Sequence, residues 1–272
     1  CPAIRLQIGT EATMDLGIKG RKAIICASSK GLGKACATAL AREGCDIVIN
    51  GRNEENLLVA AREIEGITGG SVRVVQADIN TDEGRTKLLA ACPEPDILIN
   101  NNAGPPPGKL EDWDHAAWLA GLEANMLAPA LLIRAVIPGM QERRFGRIVN
   151  ITSAMVKSPY PEMGLSTAAR TALTALSKSV SRAVAPDNVT LNNLLPFRID
   201  SDRQRFFSKR LAEEQNIPFE EARQKIAETT AARRMGKPEE FGDACAFLCS
   251  EQAGFISGQN LQIDGGSYIG LI

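Results

Sequence analysis

A short apolar run, a turn with two glycines and an alanine-rich stretch follow one another near the start of the chain. Residues 22–26 have the composition of a buried strand, and the segment SSKGLG at positions 28–33 follows almost directly. The helical stretch after the turn reaches Arg42 and stops at Gly44, the residue type that most often follows a helix. This strand–turn–helix unit is typical of a β-α-β crossover and restricts the chain to folds built on a parallel sheet.

The same alternation continues along the chain. Strands are predicted at residues 22–26, 46–50, 72–76, 96–100, 147–151, 189–195 and 260–263, and helices at 54–67, 81–91, 113–140 (interrupted near Pro129) and 166–184. Strands that are apolar on both sides and separated by helices indicate a parallel sheet covered on both faces. The predicted fold class is therefore α/β, a Rossmann-type doubly wound parallel seven-stranded sheet in a single domain, with its ligand crevice at the carboxyl ends of the strands.

Two segments lie outside this regular alternation. Met14 leads directly into the first strand, so residues 1–13 are expected to be a leader or extension and residues 14–272 a single domain. Residues 200–234 form a long, charged, helical insertion before the last helix. Their place after the sixth strand predicts a flap over the crevice.

Charge, hydropathy and cysteine usage narrow the class of protein. The formal net charge is −1, which gives no reason to expect a nucleic-acid or membrane-surface partner. No apolar run reaches the roughly 18 residues that a membrane span needs, and no signal segment opens the chain, so a cytoplasmic protein is expected. The seven cysteines form no C-x-x-C pair and stand mostly in apolar segments. They are predicted to be buried small hydrophobic residues, and no metal site is predicted.

The turn after the first strand is a candidate phosphate site. Gly31 allows the backbone to approach a pyrophosphate, and Gly33 allows the helix to pack closely against the strand. The amides and positive dipole end of the helix would face the phosphates. Ser29, Lys30, Gly31, Leu32 and Gly33 are therefore predicted to bind a dinucleotide, although a plain strand-to-helix turn also uses two glycines.

The end of the second strand distinguishes between the two nicotinamide dinucleotides. An NAD site uses a carboxylate there for the ribose hydroxyls, and the segment NGRN at 50–53 contains none. Arg52 instead offers a fork of donors to a 2′-phosphate, with Lys30 within reach of the same group. Either residue alone would more simply be a solvated cation, but together they predict NADP(H). Asp78 is expected to accept from the adenine amino group or to cap the next helix.

From about Leu16 to Gly266 the chain resembles the short-chain dehydrogenase/reductase family, especially its 3-oxoacyl-[acyl-carrier-protein] reductase-like branch. The matching residues are Asp78, the run NNNAG at 100–104, Asn125, the strand end ITS at 151–153, Asn192, Pro196, GKPEE at 236–240 and IDGG at 263–266. The Asn-rich run aligns in two registers one residue apart. The resemblance implies that Asn53, Asp78, Ile79, Asn101, Asn102, Ala103, Arg170, Pro196, Ile199 and Ser201 join the cofactor site.

The resemblance also implies a catalytic set of Asn, Ser, Tyr and Lys, of which this chain keeps only half. Asn125 and Ser153 match, whereas Ser166 stands at the Tyr position and Arg170 at the Lys position. The only tyrosines, Tyr160 and Tyr268, have no Lys or Arg one helical turn later. A Ser hydroxyl is a much weaker acid than a phenol, and Arg does not release a proton as Lys can.

Other residues are weaker candidates for the missing acid or for substrate contacts. Tyr160 stands between two prolines in a loop, and the single histidine, His115, is expected at a helix start on the surface. Phe197 replaces a family glycine and would either line the nicotinamide pocket or pack under the flap. Arg198, Asp200 and Asp202 would either contact a polar substrate or form a solvated face.

Two functions remain open from the sequence. The first is an NADP(H)-dependent oxidoreductase for a small-molecule carbonyl or alcohol, with Asn125, Ser153, Ser166 and Arg170 as its catalytic residues. The second is an NADP(H)-binding sensor or regulatory protein without turnover. The resemblance further implies a homodimer or homotetramer packed through the helices at 113–140 and 166–184, although internal packing would also explain their small residues.

Overall fold

Seven strands form one parallel sheet in the computed structural model, which describes residues 14–271. The strands are β1 (Lys22–Ile25), β2 (Asp46–Gly51), β3 (Val72–Gln76), β4 (Ile97–Asn100), β5 (Gly146–Ile151), β6 (Val189–Pro196) and β7 (Asn260–Ile263). The α-helices are α1 (Gly31–Arg42), α2 (Glu54–Thr68), α3 (Asp82–Ala91), α4 (His115–Leu122), α5 (Ala128–Glu142), α6 (Gly164–Val184), α7 (Asp202–Gln215), α8 (Phe219–Glu228) and α9 (Pro238–Cys249). The leader expected at residues 1–13 lies outside the described residues.

The strand order places the ligand crevice. It runs β3-β2-β1-β4-β5-β6-β7, and every pair is parallel. The order reverses between β1 and β4, and ligands of open α/β sheets bind at the carboxyl edge beside such a switch point. The predicted doubly wound seven-stranded sheet is confirmed, and the loops after β1 and β4 flank the switch.

Each face of the sheet has its own apolar core. Ile25 of β1 packs on one face with residues of α1, α2 and α9, whereas its neighbour Ile24 packs on the other face with residues of α3, α5 and α6. Adjacent strand residues point to opposite faces, so a strand covered on both sides must be apolar throughout. Burying one such isoleucine contributes about 1.5–3 kcal/mol.

A row of asparagines, buried in three strands and exposed in the fourth, crosses the sheet. Asn100, Asn150, Asn193 and Asn260 are register partners in β4 to β7. Each amide nitrogen donates to the next amide oxygen, at 2.8, 3.0 and 2.9 Å, and Asn150 also donates to Ser177 of α6 at 2.9 Å. A shift of any strand by one residue would leave buried amides without partners, so the row fixes the register.

The helix expected at 113–140 is divided at a different place from the predicted one. Residues 123–127 form a π-helical turn between α4 and α5, and the Ala128 amide donates to Glu123 O. Pro129 lies in the first turn of α5, where a missing N–H is tolerated. The interruption predicted near Pro129 is instead a π-helical turn that ends at Leu127, and the buried Asn125 lies within it.

The expectation that no segment is apolar enough for a membrane span was also wrong. The helical stretch His115–Glu142 has 28 residues, and its most apolar 18-residue window has a mean hydropathy of 1.5, which meets that test by length and composition. Core helices of soluble proteins pass the same test, and Leu132, Ile133, Val136 and Met140 of this stretch are buried against the sheet. Only 33% of its most apolar window is buried within one chain, so apolar surface is left on its outer side.

Candidate functional site

The glycine turn has the geometry that a dinucleotide phosphate needs. Gly31 has φ +58°, and a Cβ there would meet no atom within 4 Å, so the backbone faces open space. A Cβ at Gly33 would lie 2.5 Å from the Ala27 carbonyl oxygen, so only glycine permits this close packing. The N-cap of α1, Lys30, makes no side-chain capping bond, which leaves the first amides of α1 for a phosphate.

Ala27 occupies a backbone conformation that favours glycine. Its φ is +44°, in the left-handed region. Its carbonyl oxygen accepts from Asn101 Nδ2 at 3.0 Å, so the predicted cofactor residue Asn101 holds the glycine turn through its side chain. The family's loop glycine at this position is thus replaced by an alanine that keeps the glycine conformation.

The predicted 2′-phosphate ligands differ in how free they are. Arg52 is exposed and has no ion pair within residues 14–271. Lys30 Nζ lies 3.2 Å from the Asp202 carboxylate, which joins the glycine turn to the start of α7. The Asn53 side chain accepts from the Asn56 amide at 2.8 Å and caps α2, so it is already engaged. Arg52 is therefore the least committed donor at this end of the site.

A cavity of about 430 Å³ begins at Arg52 and extends beside the loop after β4. It is lined by Asn80, Asn102 to Gly108, Asp112, Trp113, Ala117, Ala120, Gly121, Ala124, Asn125 and Leu165. Asn102 Nδ2 donates to Asn80 Oδ1 at 2.8 Å and to the Ala124 carbonyl at 3.0 Å. Four predicted site residues, Arg52, Asn102, Ala103 and Asn125, thus line one cavity.

Asp78 does not cap the next helix. Thr81 is the N-cap of α3 and accepts from the Gly84 amide at 3.0 Å. Asp78 Oδ1 instead accepts from the Asn80 amide at 3.0 Å in a local turn. Gly84 fits this turn because a Cβ there would lie 1.9 Å from the Asp78 carbonyl oxygen. The capping alternative is therefore wrong, and adenine binding by Asp78 stays a prediction.

The remaining predicted cofactor residues lie on the loops around the crevice. Ile79 is buried beside Asp78, and Ile199 is buried and pairs with Gly236 in an isolated β-bridge. Pro196 ends β6, and Ser201 precedes α7 without a side-chain capping bond. These segments follow β3 and β6, so all lie at the carboxyl edge of the sheet.

Arg170 connects three parts of the site. Its Nε donates to Ser166 Oγ at 3.3 Å, its Nη1 to the Ile151 carbonyl at 2.7 Å and its Nη2 to the Asn102 carbonyl at 3.4 Å. The guanidinium therefore ties α6 to the end of β5 and to the loop after β4. No carboxylate within residues 14–271 pairs with it.

The charge of Arg170 is fixed at neutral pH. The pKa of Arg170 is lowered to about 10, mainly by burial and to a smaller extent by the nearby positive charge of Arg203. A group with a pKa near 10 is neutral in only about one molecule in a thousand at pH 7. Arg170 therefore acts as a fixed cation and hydrogen-bond donor, not as a proton carrier.

Two hydroxyl groups at the site accept internal hydrogen bonds and keep their protons free. Ser153 Oγ accepts from the Met155 amide at 3.1 Å, and buried Ser166 Oγ accepts from Arg170. Neither hydroxyl donates to a described residue, so both are able to donate to a ligand oxygen. Asn125 is 2% exposed, and its Oδ1 has no hydrogen-bond partner within the described chain.

The other candidates for the missing acid take peripheral positions. His115 is exposed at the first position of α4, which Asp114 caps. Tyr160 is 43% exposed. The Phe197 amide donates to the Ile263 carbonyl at 3.0 Å, and its ring lies 4.9 Å from the Arg198 guanidinium.

Several lining residues were not predicted from the sequence. Asn80, Trp113 and the three prolines at 105–107 line the cavity, and Arg203 of α7 donates to the Pro105 carbonyl at 3.3 Å. A run of three prolines directly after NNNAG was a usable signal, because an extended loop there must border the crevice. The position of Arg203 depends on how α7 packs beside the loop after β4, which no local pattern encodes.

The cysteines and acidic groups form no metal site in residues 14–271. The six described cysteines are all buried, and Cys36, Cys245 and Cys249 lie together between α1 and α9. Burial raises the pKa of the Cys249 thiol, which keeps it protonated and unreactive.

The sequence matches one protein-family model over most of its length. Residues 26–268 match the model described as enoyl-(acyl carrier protein) reductase. Over 256 residues the chain is 35% identical to dehydrogenase/reductase SDR family member 4 of Bos taurus, covering 92% of this chain and 88% of the relative. It is 32% identical over 252 residues to the NADPH-dependent reductase BacG of Bacillus subtilis (strain 168), covering 91% and 97%.

Solved structures with the same architecture contain nicotinamide cofactors. L-sorbose reductase from Gluconobacter frateurii, complexed with NADPH and L-sorbose, has a TM-score of 0.89 and 30% identity, covering 95% of this chain and 100% of that one. A 3-oxoacyl (acyl-carrier-protein) reductase from Agrobacterium tumefaciens C58 with NADP bound has a TM-score of 0.83 and 28% identity, covering 93% and 96%.

Proposed function

The chain belongs to the short-chain dehydrogenase/reductase family, and from this premise we propose that it is an NADP(H)-dependent oxidoreductase acting on a carbonyl compound or an alcohol. The observation that carries the proposal concerns the hydroxyls of Ser153 and Ser166. Each oxygen accepts a hydrogen bond from the chain, whereas each proton is donated to no described residue. A hydroxyl with a free proton is suited to donating a hydrogen bond to a reacting oxygen.

The cofactor would be held by groups that the fold already orients. The uncapped first turn of α1 at Gly31 would receive the pyrophosphate, and Arg52 the 2′-phosphate. Ser29, Leu32, Asp78, Ile79, Ala103, Pro196, Ile199 and Ser201 would border the remainder of the dinucleotide. The NADPH- and NADP-bound relatives support the choice of NADP(H) over NAD(H).

The bound nicotinamide supplies or accepts the hydride. In this site Ser153 would hold the reacting oxygen, and Ser166, or a water ordered by Ser166 and by the unpartnered Asn125 Oδ1, would take the place of the family's phenol in proton transfer. Arg170 would hold a ribose hydroxyl and stabilise negative charge on the reacting oxygen. It would not relay the proton, because it stays charged at neutral pH.

A non-catalytic NADP(H) sensor is the second candidate. It is favoured by the three hydrogen bonds that lock Arg170 to Ser166, Ile151 and Asn102. These bonds give Arg170 a structural role that would explain its presence in a protein without catalytic activity. Tight NADPH binding without activity, together with a change of association state when cofactor binds, would indicate this function.

Turnover is the direct test of the proposed activity. Purified protein is incubated with NADPH and a panel of aldehydes, ketones and oxo acids, and oxidation is followed at 340 nm. We expect substrate-dependent oxidation for at least one compound, abolished or strongly reduced in Ser153→Ala. Rates no higher than buffer with every compound would contradict the oxidoreductase function.

We further propose that the protein forms a homo-oligomer through the outer side of α4 and α5 and through α6. The apolar stretch His115–Glu142 leaves most of its most apolar window unburied within one chain, with Leu119 and Leu127 exposed. Gel filtration coupled to light scattering should give a dimer or tetramer, and a monomer at micromolar concentration would refute this.

A further inference from the structure

The carboxylates at the start of the flap are already neutralised. Asp200 accepts two hydrogen bonds from Arg223, one of them at 3.0 Å between Nη1 and Oδ1. Asp202 pairs with Lys30 at 3.2 Å and with Arg205 at 3.3 Å. Asp200 and Asp202 are therefore already paired with Arg223, Lys30 and Arg205, and they do not neutralise the other arginines beside the crevice.

Arg198 is an arginine without a carboxylate partner in the described chain. Its Nη1 donates to Gln204 Oε1 at 3.3 Å, but its Nε is buried and has no acceptor there. Leaving a buried N–H unpaired is unfavourable, more so for a charged group. The residue is also held at φ +53°, a left-handed conformation that disfavours a side chain. The unpaired buried N–H of Arg198 is therefore available to an acceptor from a ligand.

Arg203 approaches the same region from the flap. Its Nη2 donates to the Pro105 carbonyl at 3.3 Å, and its guanidinium lies 5.0 Å from the Phe207 ring, with no carboxylate partner in residues 14–271. Arg170 contacts the same loop at Asn102. Two cations thus contact one short loop. Burial lowers the pKa of Arg170, and the positive charge of Arg203 adds to this effect.

Other partly buried arginines of the protein are compensated. Arg85, Arg143 and Arg223 each reach a carboxylate. Arg147 lacks one, but its Nε and Nη atoms donate to the Ser250 and Asn188 carbonyls and to the Asn188 side chain. Arg198 differs from them because its buried Nε has no acceptor among the described residues. Arg203 is exposed and also has donor capacity left, and both residues lie at the carboxyl edge of the sheet.

We propose that Arg198 and Arg203 bind an anionic group of the substrate, so that the substrate is a carbonyl compound or alcohol carrying a carboxylate or a similar anion. This inference rests on the proposed function and names its substrate class. The proposed function assigns the cofactor phosphates to the first turn of α1 and to Arg52, which leaves these two arginines for the second ligand. Arg170 beneath the loop adds positive potential without needing to contact the anion.

Matched acids and esters test this directly. Acetoacetate, levulinate and phenylpyruvate, each with its methyl ester, are assayed with NADPH for the wild type, Arg203→Met, Arg198→Met and the control Lys209→Met, an exposed cation further along α7. We expect the wild type to prefer the acid in at least one pair. The two arginine variants should lose about 10- to 100-fold in kcat/KM for that acid, mainly through KM, and about twofold or less for its ester. Lys209→Met should resemble the wild type, and Arg203→Lys should restore part of the loss.

Binding measurements separate this inference from the proposed activity. NADP⁺ with a ketone forms no product, so thermal shift of the protein–NADP⁺ complex reports ligand binding alone. Acetoacetate should raise the melting temperature more than methyl acetoacetate, and Arg203→Met should remove the difference even if no turnover is ever found. Equal shifts for acid and ester, or no acid preference in any pair, would overturn the inference. The inference would also be overturned if Arg203→Met and Arg198→Met weakened NADPH binding, measured by fluorescence, and left binding of the acid unchanged.

Discussion

Arg170 donates from Nε to Ser166 Oγ at 3.3 Å, across one turn of α6. The bond turns the hydroxyl oxygen of Ser166 toward the guanidinium and leaves its proton for another acceptor. The same guanidinium holds the carbonyl of Ile151, two residues before Ser153. The two residues therefore form one hydrogen-bonded unit beside the end of β5, rather than two independent replacements of Tyr and Lys.

The double variant Ser166→Tyr, Arg170→Lys tests whether this unit is the working machinery. Lys has no fork of donors and cannot keep the bonds to Ile151 and Asn102 together, so we expect at least about a tenfold fall in kcat. Arg170→Lys alone serves as the control for loss of the fork. A double variant more active than the wild type would instead indicate that the natural site is inactive because it lacks Tyr and Lys, and would favour the sensor function.

Ala27→Gly should stabilise the protein. The alanine has φ +44°, a conformation that costs a residue with a Cβ roughly 1 kcal/mol relative to glycine. Urea unfolding is expected to show about 1 kcal/mol of added stability. The matched control is Ala41→Gly within α1, which should lose about the same amount. Destabilisation by both substitutions would show that Ala27 is not strained.

Asp202→Asn should increase the affinity for NADPH. The Asp202 carboxylate holds Lys30 at 3.2 Å and competes with a 2′-phosphate for it. Both side chains are largely exposed, so the gain should be modest, up to about fivefold at low salt, and absent for NADH. Arg205→Gln removes the other partner of Asp202 and should not produce the gain. Fluorescence titration with both nucleotides measures these affinities, and an equal gain for NADH would argue against the competition.

Asn150→Ala should destabilise the sheet strongly. The substitution leaves the buried Asn100 amide nitrogen without an acceptor, and it removes the amide donor from Asn193 Oδ1 and from Ser177 Oγ. We expect a loss of about 2 kcal/mol or more in the free energy of unfolding. Asn260→Ala is the control, because Asn260 ends the row at an exposed position, and it should cost less than about 1 kcal/mol. Similar costs for both would mean that the buried row contributes little.

The sheet and the glycine turn could be predicted because their signals are local. Gly31 and Gly33 are needed by the turn itself, and a strand buried on both faces must be apolar. The division of the long helix was misplaced because Pro129 marks a helix break, whereas the actual change is a π turn around Asn125 that sequence periodicity does not reveal.

Long-range pairs were beyond the sequence. Lys30 meets Asp202, and Arg170 meets the Asn102 carbonyl, only after the flap and the loop after β4 are folded. The asparagine row likewise depends on strand register, which sets Asn100, Asn150, Asn193 and Asn260 side by side. The residues were visible in the sequence, but their partners were not.

Calorimetric titration of NADPH and NADH tests the cofactor site most directly. We predict that the wild type binds NADPH at least about tenfold more tightly than NADH, and that Arg52→Gln removes most of this difference while leaving NADH binding unchanged. No heat with either nucleotide, or equal affinities for the two, would contradict a site built on the amides at Gly31 and selected by Arg52.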